Sequence, residues 1–218
     1  VGANVVQILS VPGMFGLFFL GALYLERVQG YDPLQIGFAF LPVTIAMGTL
    51  SLRYSERLVM RFGARRTLVP GLVLIGVSLV LFSTAPVDGN YWTDVLPVML
   101  LLGCGAGMAF PALMNLAMSG ATNADAGLAS GLVNTSAQVG GALGLALLAT
   151  LSATRSDGLI DDGVSEAAAL TSGYHLAFLI GAGLAALAIA VTFAVLRPVP
   201  LPSHAHDGPV GEPAWEQA

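Results

Sequence analysis

The sequence predicts an all-α fold: a polytopic membrane protein built as a six-helix transmembrane bundle. Composition is the first sign. The 218 residues are 56% hydrophobic and only 10% charged, with a mean hydropathy of +0.80, whereas soluble domains carry about 25% charged residues. Patterning is the second, because long uncharged runs alternate with short charged ones. The third is length: six of those runs approach the roughly 20 apolar residues that a membrane helix needs.

In chain order the spans are expected at about 4–25, 34–52, 68–85, 94–118, 126–151 and 174–196. Each must be helical, because hydrocarbon cannot satisfy an unpaired backbone group. Pro12, Pro42, Pro97 and Pro111 inside these runs therefore read as kinks, not ends. Between the spans lie 26–33, an arginine-rich loop at 53–67, 86–93, 119–125 and an acidic loop at 152–173. The stretch 197–218 is proline-rich and polar. It is expected to be a disordered cytoplasmic tail, because it cannot bury enough apolar area to offset its ordering entropy.

Orientation follows from the arginines. There is no Lys, and Arg53, Arg57, Arg61, Arg65 and Arg66 crowd one connection. If that connection is cytoplasmic, Arg197 joins it inside and only Arg27 and Arg155 remain outside, as the positive-inside rule requires. Both ends of the segment are then cytoplasmic. Tyr91 and Trp92 fall at the outer interface, where aromatic residues concentrate. The opening Val1-Gly2-Ala3 lacks an initiator Met and a basic n-region, so it is not read as a signal peptide. The chain is expected to be a piece of something longer.

Few chemical classes remain open. Cys104 is the single cysteine, which excludes an internal disulfide and a cysteine metal cluster. His204 and His206 read as solvated, so no metal, no cofactor and no nucleic-acid partner is expected. A serine protease would need Ser130 and His175 within hydrogen-bond reach, yet the span order puts them at opposite ends of the bilayer. A non-transporting scaffold or a self-pairing half-transporter also fits the composition.

Polar residues inside the spans are candidates for a cavity lining, because intramembrane polar groups face a bundle interior or a wet cavity. They are Asn4 and Gln7, three apart, Asn115, and Asn134 and Gln138, four apart and so on one helix face. Small residues mark helix interfaces. Gly127 and Gly131, then Gly140, Gly141 and Gly144, form two G-x-x-x-G ridges in the fifth span, and Gly103 and Gly107 form another in the fourth. No carboxylate sits near a span centre, whereas a proton relay ordinarily uses an intramembrane Asp, Glu or His. Any coupling protons are therefore expected to be handled elsewhere.

Several stretches together resemble the C-terminal half of a major facilitator superfamily transporter, in its fourteen-span drug:proton antiporter branch. They are Tyr24-Leu-Glu-Arg-Val-Gln-Gly-Tyr-Asp-Pro-Leu-Gln-Ile-Gly37, Phe40-Leu-Pro42, Arg61-Phe-Gly-Ala-Arg-Arg66, Gly103-Cys-Gly-Ala-Gly-Met-Ala-Phe-Pro111 and Ala129-Ser-Gly-Leu-Val-Asn-Thr-Ser-Ala-Gln-Val-Gly-Gly141. The resemblance implies proton-driven efflux of a small amphipathic substrate by alternating access in a bacterial inner membrane, together with an N-terminal half that this segment lacks. It implies a gating loop made of Glu56, Arg57, Arg61, Gly63, Arg65 and Arg66, although Glu56 and Met60 replace the family's usual Gly and Asp. It also implies that spans one and four line the cavity and that Gly140, Gly141 and Gly144 lie at a moving interface with the other half.

Overall fold

The protein is described by a computed structural model covering residues 2–119, 122 and 125–195. The expected tail at 197–218, with His204 and His206, lies outside the described residues. Six helices long and apolar enough to cross a membrane are present: α1 (Gly2–Val28), α2 (Pro33–Phe62), α3 (Ala64–Phe82), α4 (Tyr91–Met118), α5 (Ala126–Asp161) and α6 (Glu166–Val195).

Most helices start before the expected spans or run past them, although α3 ends at Phe82 and not at 85, and the two charged loops turn out to be largely helix. Between α2 and α3 only Gly63 leaves the helical conformation, at φ +85°, ψ 152°. Glycine adopts that backbone without a Cβ penalty, so one residue reverses the chain. Arg53, Arg57 and Arg61 thus belong to α2, and Arg65 and Arg66 to the first turn of α3. Between α5 and α6 the connection is equally short. Gly163 has φ +86°, its N–H donates to the Ile160 carbonyl (2.9 Å), and that of Val164 donates to Leu159 (2.9 Å). This is a Schellman ending, and it sets Asp157, Asp161 and Glu166 on a helical hairpin.

Other ends and kinks also have local causes. Asp32 caps α2 in a reciprocal box with Gln35, with Pro33 at the first position, where its missing N–H costs nothing. The break at Phe40 precedes Pro42, which cannot donate to the turn before it. Wider π-turns occupy Tyr24–Val28, Leu50–Tyr54 and Tyr91–Val95.

Packing divides the bundle into two related triplets. α1 packs on α5 and α6, α4 packs on α2 and α3, and α3 joins α6 across the middle. Exchanging each helix with the third one after it maps the first set onto the second, the signature of an internal repeat. The repeat is imperfect. α5 lies along α6, whereas α2 meets α3 chiefly through Ser55–Phe62. In their most apolar stretches α1 and α4 are 61% and 56% buried, against 11% of α2 and 22% of α5. The first pair is therefore internal and the second peripheral.

Glycine decides how closely the helices approach. Gly103 and Gly107 face α2, where an added Cβ would lie 2.5 Å from the Val43 carbonyl and 2.8 Å from that of Met47. Gly105, between them, faces α3, where a Cβ would fall 2.7 Å from the Gly71 carbonyl. One short run thus seats α4 on two neighbours at once.

Candidate functional site

All six helices alternate in direction, so the bundle has two ends. One, here the arginine end, holds the start of α1, the α2–α3 connection and the end of α6. The other, the tyrosine end, holds Tyr24, the α3–α4 loop and the start of α6. Every residue expected to line a cavity falls in the half nearer the arginine end. Asn4 and Gln7 lie in the first two turns of α1, Asn115 in the last turn of α4, and Asn134 and Gln138 in the third and fourth turns of α5.

The seam between α1 and α5 fixes their relative depth. Gly140 meets Ile8, Gly144 meets Pro12 and Gly16 meets Leu148, a single parallel register. Asn4 is consequently level with Ser136, between Asn134 and Gln138. Asn4 is half-buried and its Oδ1 is a buried acceptor with no partner, a state that ordinarily carries an appreciable desolvation cost. Gln7 is buried, while Asn115, Asn134 and Gln138 are exposed.

α5 therefore has two unlike faces. Val133, Ser136, Gly140, Gly141 and Leu148 are buried, and the resemblance implied something different for the glycines among them. Gly140 packs on the Ile8 backbone, Gly141 on the Phe15 ring and Gly144 on Pro12, all on α1. They form an interface inside this bundle and not an outward one, because a glycine ridge is taken up by the nearest available backbone. Gly127 and Gly131 have nothing within contact range of an added Cβ. With Asn134 and Gln138 they make a stripe at spacings of four, three and four, exposed along its length.

The gating-loop residues are spread over the arginine end. Arg65 donates from Nη2 to the Phe193 carbonyl (3.2 Å) and lies over the Phe193 ring at 5.3 Å. It thus places a cation at the C-terminal end of α6, where the helix dipole is negative. Arg61 lies over Phe62 at 5.4 Å. Glu56, Arg57, Arg61 and Arg66 are exposed. Ser55 is buried on the opposite side of the same helix, its Oγ unpartnered.

The tyrosine end carries a network that reading along the sequence missed. Tyr24 Oη donates to the Pro86 carbonyl (2.6 Å) and accepts from Gln29 Nε2 (3.0 Å), which also donates to Val87 (2.8 Å). Tyr91 Oη donates to Ala39 (3.1 Å), and His175 Nε2 lies 2.8 Å from the Ala85 carbonyl. Phe82 stacks on Phe178 with ring centres 4.8 Å apart, and Tyr24 meets Phe82 edge-on. The hint available in the sequence was Tyr24 and Gln29 flanking a turn, but their acceptors lie some sixty residues away. His175 is at this end and Ser130 near the start of α5 at the other, so they form no nucleophile–base pair.

A six-helix membrane bundle with an internal three-helix repeat, glycine-seated contacts and a polar set at one depth is the architecture of a transporter half. The profile of the Major Facilitator Superfamily matches residues 5–145, and the chain belongs to that family. It is a multi-pass membrane protein of a transporter family, not an enzyme. Its relatives include the puromycin resistance protein of Streptomyces alboniger, 34% identical over 188 residues, which are 83% of this chain and 37% of that protein. The cephamycin export protein of Amycolatopsis lactamdurans is 32% identical over 95% of this chain and 40% of its own length. The tetracenomycin C resistance and export protein of Streptomyces glaucescens is 32% identical over 76% and 30%. The chain thus spans about two fifths of the length of the first two relatives.

Proposed function

We propose that the chain is the C-terminal half of a proton-coupled multidrug or small-molecule exporter that works by alternating access. The cargo in this reading is small and amphipathic, and the relatives named for puromycin, cephamycin and tetracenomycin C support a small-molecule cargo. One observation carries it most directly: Asn4, Asn134 and Gln138 share one depth, and the Asn4 acceptor has no partner. A wall of neutral donors and acceptors in an otherwise apolar bundle can bind varied amphipathic molecules without a fixed ion pair. In this proposal the arginine end is cytoplasmic, in a bacterial inner membrane, and the exposed stripe Gly127, Gly131, Asn134 and Gln138 faces an N-terminal half. Gly127 and Gly131 would supply the sliding contact. Coupling protons are handled outside this segment, since among the described residues no carboxylate lies near the centre of a helix, and the arginine end acts as the gate.

The test is efflux by the full-length transporter in a drug-sensitive bacterium. Asn4→Leu and Asn134→Leu are each expected to lower export of at least one cationic dye about tenfold, with unchanged amounts of protein in the membrane. The lining assignment fails if both variants export as well as the parent. Proton-gradient-driven dye transport by the isolated segment in liposomes would overturn the half-transporter reading itself.

A further inference from the structure

The arginines of α2 form a regular ladder because the segment carrying them is helical. α2 has 30 residues, about 45 Å at 1.5 Å per residue, close to the full thickness of a bilayer with its headgroups, about 40–45 Å. Its uncharged stretch from Leu34 to Leu52 measures about 28 Å by the same rise and fills the hydrocarbon core of about 30 Å. Arg53, Arg57 and Arg61 follow at steps of about 6 Å, one above another through the headgroup layer. All three are exposed, and Arg66 is exposed at the start of α3, whereas Arg65 is engaged with Phe193. Buried Ser55 turns the opposite face of α2 toward the bundle. Apolar side chains accompany the ladder: Leu52 is 89% exposed, Met60 62% and Phe62 47%.

We infer that Arg53, Arg57, Arg61 and Arg66 bind the headgroups of anionic phospholipids, with an acyl chain lying along Leu52. The guanidinium fork matches a phosphodiester in two hydrogen bonds, and juxtamembrane basic clusters are drawn to anionic lipid. Depth favours lipid over a soluble acidic partner, because the ladder starts at the edge of the hydrocarbon and its neighbours are apolar. Which leaflet supplies the lipid rests on the orientation proposed above; the binding itself does not.

The test uses the full chain in a neutral detergent, titrated with phosphatidylglycerol or phosphatidylcholine in mixed micelles. Melting temperature and lipid retained in native mass spectrometry are the readouts. Phosphatidylglycerol is expected to raise the melting temperature and stay bound, and phosphatidylcholine to do neither. Affinity should fall about fivefold for each arginine changed in the series to R53Q/R57Q/R61Q/R66Q. R65Q should melt lower yet keep the full lipid response. Equal responses to both lipids, or an unchanged response in the fourfold variant, would overturn the site. So would the same shift with sodium phosphate, which would mark a free-anion site. Should the fourfold variant not fold, retention by the parent must drop between about 0.05 and 0.5 M salt, and salt-insensitive retention also overturns the proposal. Transport is not read, so failure here is separable from failure of the exporter reading.

Discussion

The tyrosine end and the arginine end are built on different principles. At the tyrosine end side chains reach across the chain: Tyr24 in the last turns of α1 and Gln29 just after it hold Pro86 and Val87, Tyr91 holds Ala39, and His175 holds Ala85. Among the described residues, all but one of the side-chain hydrogen bonds that reach a distant segment of the chain lie there. The exception is Arg65 to Phe193 at the arginine end, where Arg53, Arg57, Arg61 and Arg66 are exposed. One end is thus tied by directional bonds. The other is held by glycine-seated backbones below it and left open at its surface. Under the function proposed above, a half that tilts against a partner would keep its shape through the first and present its charges through the second.

That comparison is sharpest at Gly89, where an added Cβ would lie 2.6 Å from the Tyr24 hydroxyl and 3.2 Å from the Pro86 carbonyl it bonds. Gly89→Val should displace both and destabilise the chain by about 3 kcal/mol, combining overpacking with lost hydrogen bonds. Equilibrium unfolding in mild detergent measures this, and an unaltered midpoint would remove the network from the account of stability. Tyr24→Phe takes away the hydroxyl alone and leaves the ring on Phe82, so a loss of about 2 kcal/mol is expected. His175→Leu strands the buried Ala85 carbonyl and should cost about 1 kcal/mol, read in the same titration. At the other end Arg65→Gln, which loses a partly exposed bond and a cation–π contact, should cost about 0.5–1 kcal/mol. Met60→Asp, which restores an acid beside Arg61, should change stability by less than about 1 kcal/mol. Were Arg65→Gln to exceed Tyr24→Phe, the two ends would have to be reversed in importance.

Six helices, their alternation and their apolar nature were legible because each span is a local matter of length and composition. The charged segments were read less well. Arg53, Arg57 and Arg61 looked like loop because charge interrupts hydropathy, yet hydropathy says nothing about backbone hydrogen bonds, and four-residue spacing suits a helix as readily as a loop. The stretch 152–173 was misjudged for the same reason, and Gly163 with its Schellman bonds confines the turn to a few residues. At the site, the polar residues could be named from their placement in apolar runs. Their common depth could not, since it depends on the register of Gly140 on Ile8 and Gly144 on Pro12.

The sequence alone determined that this chain lives in a membrane, how many times it crosses, which connection collects the cations and which family it resembles. The first three follow from free energies of transfer and from local spacing, which can be read one segment at a time, and the last rests on a likeness of short motifs. Tertiary structure alone decided which partner each glycine ridge takes, which face of α5 stays open and that Tyr24 is a hub. Such choices depend on pairing between residues far apart in the chain, where many partners are chemically equivalent and only packing in three dimensions selects among them.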